Sequence, residues 1–335
     1  MTRERVSNFE ALRLVAIFMI IVHHLVIKSD DSCGYITPWN ANEHGYVGLI
    51  INSLVVGGVN IFILISGWFG IRTIWTQIFR LVLDCFIYSI ITNIICVVFL
   101  GVPFEIRSFI HSTLFFNNWF VEAFIMFLLL IPIINAAISV FDNKTFVIAL
   151  ACLTIFNVGF GFCMGKLNIN GYNALNFAYL YIIARWLRRM SATRWFGCFA
   201  HKGWLIWLLC AVPIVAGFIL IASNASWTPS MSQKLFGYNN PFIVMSSIAF
   251  FCWFSTFEFQ SSLINRLAKG TFGVFLLHTT SLFIPFRSEF FGNIIHQYGY
   301  WSLFFSALGL FIICLLISSI IEILKTFAKP YCYLK

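Results

Sequence analysis

Asn8-Phe9-Glu10-Ala11-Leu12-Arg13-Leu14-Val15-Ala16-Ile17-Phe18-Met19-Ile20-Ile21-Val22-His23-His24 is a mostly apolar run that carries Glu10 and Arg13 and is closed by two histidines. A stretch like this approaches the roughly 20 residues an α-helix needs to cross a bilayer. Comparable runs recur through the 335 residues; 60% of the chain is hydrophobic and 10% is charged, against about 25% charged in an ordinary soluble domain. The reading is an all-α, polytopic transmembrane helix bundle, with residues 1–335 as a single membrane domain. Breaks at polar, Gly and Pro positions predict about ten spanning helices near 9–27, 46–69, 78–100, 119–140, 145–163, 172–189, 203–223, 241–258, 271–290 and 300–325. Gly159, Gly161 and Gly165 loosen the fifth of these, and Asn173 and Asn176 open the sixth.

The sidedness of lysine and arginine tests this count independently of hydropathy, because cytoplasmic loops carry the excess. With the N-terminus inside, fifteen of the 21 basic residues fall on the cytoplasmic side and five on the other, with Arg13 inside the first helix. Both termini are then cytoplasmic. The net charge of +9 is spread over many short loops, so it reports topology and excludes a nucleic-acid partner. The ten cysteines form no CxxC pair and lie mostly in apolar runs (Cys85, Cys96, Cys152, Cys210, Cys252, Cys314), which indicates neither a metal site nor a disulfide framework. No small-residue cleavage site follows the first run, so the first helix is expected to be retained.

Arg13, His23 and His24 are ionisable groups at membrane depth, where such groups are costly and usually face a cavity, a partner or a pathway. The 11-residue step from Arg13 to His24 turns about 1100°, so the two share a helix face about 16 Å apart, while His23 lies about 80° away. Neutral imidazole accepts a proton, and arginine grips phosphate or carboxylate. Glu122 is a further candidate at membrane depth. Outer segments rich in Trp, Tyr and Asn (Trp39, Asn40, Asn42, Tyr46; Trp227, Tyr238, Asn239, Asn240) suit either sugar stacking or interfacial anchoring. His278 is placed near the start of the ninth helix, on the cytoplasmic side and away from His24.

The first segment, with Arg13 followed eleven residues later by His24, resembles the opening of the acyltransferase-3 family. These are integral membrane acyltransferases that include bacterial O-acetyltransferases of surface polysaccharides. Three further stretches are similar to the family in order: Gly58-Val59-Asn60-Ile61-Phe62-Ile63-Leu64-Ile65-Ser66-Gly67-Trp68-Phe69; Asn118-Trp119-Phe120 with Pro132-Ile133-Ile134-Asn135; and Gly273-Val274-Phe275-Leu276-Leu277-His278. One departure stands out, since Gln77-Ile78-Phe79-Arg80 replaces the family's frequent Arg-x-x-Arg, with Arg72 across the short loop as a substitute.

The resemblance implies an acyl-CoA donor and a catalytic first-helix histidine. His24 is then expected as general base with His23 and Glu122 nearby, and Arg13, Arg72, Arg80 and His278 on the side of the donor, acetyl-CoA. Asn60, Ser66 and Trp119 are expected to contact substrate, and no metal is called for. The acceptor is expected to be a sugar hydroxyl of a lipid-linked or exported polysaccharide, and the location a bacterial cytoplasmic membrane. The rival reading is a transporter or flippase of lipid-linked saccharides.

Overall fold

The computed structural model describes residues 5–28, 43–104, 106–114, 118–222 and 234–328. Among them there is no strand. The helices are α1 (Ser7–Lys28), α2 (Glu43–Val55), α3 (Gly58–Phe69), α4 (Ile74–Phe99), α5 (Ile106–Leu114), α6 (Trp119–Ser139) and α7 (Asn143–Thr154), which runs on as a π-helix (Ile155–Cys163). They continue with α8 (Ala174–Met190), α9 (Arg194–His201), α10 (Gly203–Ala222), α11 (Pro241–Phe254), α12 (Ser262–Leu267), α13 (Thr271–Thr279), α14 (Phe283–Tyr298) and α15 (Tyr300–Ala328).

Seven stretches are long and apolar enough to span a bilayer: Ser7–Ile27, Tyr46–Phe69, Ile74–Phe99, Trp119–Ser139, Asn143–Cys163, Gly203–Ile221 and Trp301–Phe327. Their outward faces carry large apolar side chains such as Val98, Ile133, Leu220 and Phe305, each at least 66% exposed, as a lipid-facing surface requires. The chain is a multi-pass membrane protein. Three further predicted spans are helical but differ from the expectation. Helix α8 has 17 residues and ends in Arg188 and Arg189, and α11 stops after 14 residues at Phe254. The predicted helix 271–290 is two helices, and the pair bends by 84°. The break has a local cause: Thr279 and Thr280 turn their hydroxyls back onto Phe275 O (2.7 Å) and Leu276 O (2.8 Å), and Pro285 has no N–H to continue the ladder. Short helices α5 and α9 occupy segments expected to be loops.

Side-chain caps set several helix starts. Asn118 accepts from Phe120 N at 3.1 Å to open α6, Asp142 from Thr145 N at 2.8 Å to open α7, and Asn240 from Phe242 N at 2.9 Å ahead of Pro241 in α11.

Helix α1 lies at the centre, packed on α2, α3 and α11–α15, with Leu12, Ala16, Ile17 and Ile21 fully buried. Small residues let α3 approach its neighbours closely. A Cβ on Gly58 would sit 2.8 Å from Ala16 O, and one on Gly67 would sit 2.6 Å from Ala184 Cβ and 2.8 Å from Tyr181 O in α8. The Ser66-Gly67 dipeptide is therefore a packing seam between α3 and α8.

Candidate active site

The start of α1 and the start of α12 are tied together. Ser261 N donates to Ser7 Oγ at 2.9 Å, and Ser7 Oγ donates to Gln260 Oε1 at 2.9 Å. From this tie α1 runs 17 residues to His24, and α12, a 3-10 turn over Ala268–Gly270 and α13 together run 17 residues from Ser261 to His278. At about 1.5 Å per residue both histidines arrive at the same depth, roughly 26 Å from the tie. They meet: His24 Nδ1 is 3.1 Å from His278 Nε2. The expectation that His278 stays apart from His24 is corrected. Because α13 is preceded by α12 in the same direction, His278 falls in the last turn of the stretch, not at its entrance.

Hydrogen bonds assign the protons in the neutral pair. His278 Nδ1 lies 2.7 Å from Val274 O, and a carbonyl only accepts, so Nδ1 carries the hydrogen and Nε2 the lone pair. His24 Nδ1 must then donate to His278 Nε2, which leaves the lone pair of His24 on Nε2. His24 is half-buried and His278 fully buried. His23 points elsewhere and places Nδ1 2.6 Å from Asn52 Oδ1 of α2. The 84° bend brings α14 back across the end of α13, where Arg287 Nη1 donates to His278 O at 2.7 Å. Asn118 Nδ2 donates to Thr279 Oγ1 at 3.0 Å, joining α6 to the same turn. Among the described residues no three side chains of His, Cys, Asp or Glu converge on a metal-sized point.

At the Ser7 end of the bundle, Arg13 Nε lies 3.9 Å from Glu10 Oε2, which also takes Arg5 Nη1 at 2.9 Å. Close by is a cleft of about 470 Å³ between α3, α6 and α8, lined by Arg72, Arg185, Arg188 and Arg189. Among the described residues none of the four forms an ion pair with a carboxylate. Its floor is rigid. Tyr181 Oη donates to Asn135 Oδ1 at 2.8 Å, Asn135 Nδ2 donates to Ile71 O at 2.9 Å, and Ile71 N donates to Tyr181 Oη at 3.3 Å. Arg188 lies over the Trp68 ring at 5.0 Å, and Arg189 Nη1 donates to Phe141 O at 2.8 Å. At the rim, hydrogen bonds from the Thr145 hydroxyl and N–H, helped by Arg189, hold the Asp142 carboxyl below its ordinary range. A second cleft of about 560 Å³ shares Arg188 and is walled by Phe9, Trp68, Phe196 and Phe257. Arg72 lines the first of these clefts, whereas Arg80, on α4, does not.

Glu122 faces outward from the bundle on the first turn of α6, within the stretch Trp119–Ser139 that is long and apolar enough to span a bilayer, and among the described residues it forms no ion pair. Asn60 is fully buried and donates to Tyr238 O at 2.9 Å, tying α3 to the segment before α11. Ser66 Oγ returns its bond to Phe62 O at 3.0 Å. Trp119 stacks on Tyr238 at 5.5 Å and meets Tyr172 edge-on at 4.6 Å. Tyr238, Asn239 and Asn240 are buried, not displayed on a loop, because Asn239 Nδ2 bonds Asn168 O and Asn240 caps α11. Trp39, Asn40, Asn42 and Trp227 lie outside the described residues.

Sequence reasoning passed over Asn52, Arg287 and the three arginines of α8. Arg287 counts among the five basic residues of the outer side, at the end of the predicted helix 271–290, yet it is 2% exposed; its place inside that predicted helix is the signal. Arg185, Arg188 and Arg189 served only as topology markers, although their i, i+3, i+4 spacing puts three guanidiniums on one helix face.

The model of the acyltransferase-3 family, described as an acyltransferase domain, matches residues 6–323. No curated protein and no solved structure matches the chain.

Proposed function

This chain belongs to the acyltransferase-3 family of membrane acyltransferases, and from that premise we propose that it transfers an acetyl group from acetyl-CoA to a sugar hydroxyl of a lipid-linked or exported polysaccharide. The observation that carries this reading is the contact of His24 with His278, which leaves a basic Nε2 on a half-buried imidazole held at a set depth in the bundle. His24 Nε2 takes the proton as the hydroxyl oxygen bonds to the acyl carbon, and the carbonyl π pair moves onto its oxygen. The carbonyl re-forms, the C–S bond breaks, and the CoA thiolate takes the proton back from His24. General base catalysis of this kind is worth about 10²–10⁴-fold in rate. His278 acts through His24 as a positioning residue.

The donor enters at the Ser7 end, which we assign to the cytoplasm, in a ten-span topology with both termini inside a bacterial cytoplasmic membrane. Two observations favour donor entry there. The four arginines, none of which pairs with a carboxylate among the described residues, match the phosphates of CoA by charge and geometry, and the adjoining aromatic cleft suits its adenine. Phe9, beside these clefts, precedes His24 by 15 residues, about 22 Å along α1. The phosphates and the acyl group of the donor are thus assigned to opposite ends of α1.

The test is label transfer from radiolabelled acetyl-CoA to cell-envelope glycan in membranes holding the native protein, His24→Ala or His23→Ala at equal abundance. Loss with His24→Ala and retention with His23→Ala is expected. A folded, abundant native protein that labels no glycan of its own host overturns the reading in favour of saccharide transport.

A further inference from the structure

Acyl transfer needs a donor for the negative oxygen of the tetrahedral intermediate, and neither histidine, each occupied in proton handling or packing, supplies one. We infer that Arg287 is that oxyanion donor, an inference resting on the acyl-transfer reading above.

Arg287 is 2% exposed, in the second turn of α14, and α14 packs directly on α1. Among the described residues its guanidinium has no carboxylate partner; the ionisable groups within electrostatic reach include His23, His278 and Cys314. One of its N–H groups donates to His278 O at 2.7 Å, while Nε is buried with no hydrogen-bond partner among the described residues. Capping the last turn of α13 accounts for the first of these facts, since basic side chains commonly satisfy terminal helix carbonyls. It leaves the second unexplained. A capping role needs one donor at the edge of the bundle, whereas here a permanent cation and an unsatisfied N–H are held in the interior, a costly arrangement for a protein that only has to close a helix.

The cost is offset if the missing partner is an anion that forms at this place during turnover. The tetrahedral oxygen qualifies. It arises beside His24, which is 3.1 Å from His278, and the carbonyl of His278 is itself held by Arg287. Before attack the acyl oxygen is nearly neutral, so Arg287 gains its partner in the transition state and stabilises it over the bound substrate. No proton moves to or from the guanidinium; it accompanies the π pair as that shifts onto oxygen and returns.

The experiment compares native protein with Arg287→Gln and Arg287→Lys in bilayer nanodiscs. The readouts are acetyl transfer and the binding of two acetyl-CoA analogues, a methyl ketone that mimics the ground state and a trifluoromethyl ketone whose tetrahedral adduct mimics the intermediate. Arg287→Gln is expected to lower kcat about 10²–10³-fold. KM for acetyl-CoA and affinity for the methyl ketone should stay within about threefold, with the trifluoromethyl ketone weakened as kcat is. An unchanged kcat, or equal weakening of both ketones, overturns the assignment and leaves Arg287 as a helix cap. If Arg287→Gln does not fold, Arg287→Lys decides on the same two ketones, with selective loss of the trifluoromethyl ketone expected and equal loss overturning. Native protein that transfers no acetyl group removes the acyl-transfer reading itself, whereas active native protein with an unimpaired Arg287→Gln removes the oxyanion donor alone.

Discussion

His24 Nδ1 stands 3.1 Å from His278 Nε2 across a separation of 254 residues, and the tie from Ser261 N to Ser7 Oγ spans the same 254. Two helical stretches that start level and rise equally keep their register, so the imidazoles meet. The contact follows from the starting tie plus helix geometry.

Removing His278 should impair the base without removing it. His278→Ala is expected to lower kcat about tenfold, about 1.4 kcal/mol in the barrier, with KM for acetyl-CoA little changed. His278→Gln, whose side-chain oxygen can still accept from His24 Nδ1, should recover part of the rate. Steady-state acetyl transfer by the two variants checks this, and equal loss in both argues against the proton assignment.

Acidification should slow transfer through a single protonation, because an imidazole that already holds a proton on Nε2 cannot take another from the hydroxyl. Transfer is therefore expected to be slower in acidic than in neutral or alkaline buffer. A pH profile of kcat/KM with native protein should show this limb, and the residual rate of His24→Ala should lack it.

The arginine cleft should recognise phosphate and not the acyl group. Arg185→Gln or Arg188→Gln is expected to raise KM for acetyl-CoA roughly tenfold, about 1.4 kcal/mol, in line with one lost charge-assisted hydrogen bond. Transfer from an acetyl thioester of cysteamine, which has no phosphate, should be unaffected. Comparing the two donors on each variant separates nucleotide recognition from general damage.

The seam between α3 and α8 should tolerate no side chain at Gly67. Gly67→Ala forces a Cβ to within 2.6 Å of Ala184 Cβ, and the overpacking is expected to cost about 1–3 kcal/mol. Thermal unfolding in detergent measures it. Pairing with Ala184→Gly should restore part of the loss, since Tyr181 O at 2.8 Å remains in the way.

Much of the architecture was legible from composition because a bilayer imposes length and apolarity on each crossing helix locally. Where the expectation slipped, a local competitor had prevailed. Thr279, Thr280 and Pro285 broke the predicted helix 271–290, and Gly159 and Gly161 let α7 relax into a π-helix. Arg13 and His24 were visible because charged and titratable groups stand out against an apolar run. Glu122 stood out for the same reason, yet its side chain faces outward from the bundle, since polarity marks a residue but not the direction it faces.

The sequence by itself determined the all-helical membrane class and marked α1 as the helix that holds a histidine and an arginine on one face, because period, length and polarity act within a segment. Only the tertiary structure decided that His278 meets His24, that Arg287 is buried against His278, that Tyr238 and Asn239 are interior, and that Arg72 gathers with three arginines of α8. These depend on which helix ends are tied together and where a bend turns the chain back. Such choices are made by contacts between residues up to 254 positions apart, which no local spacing records.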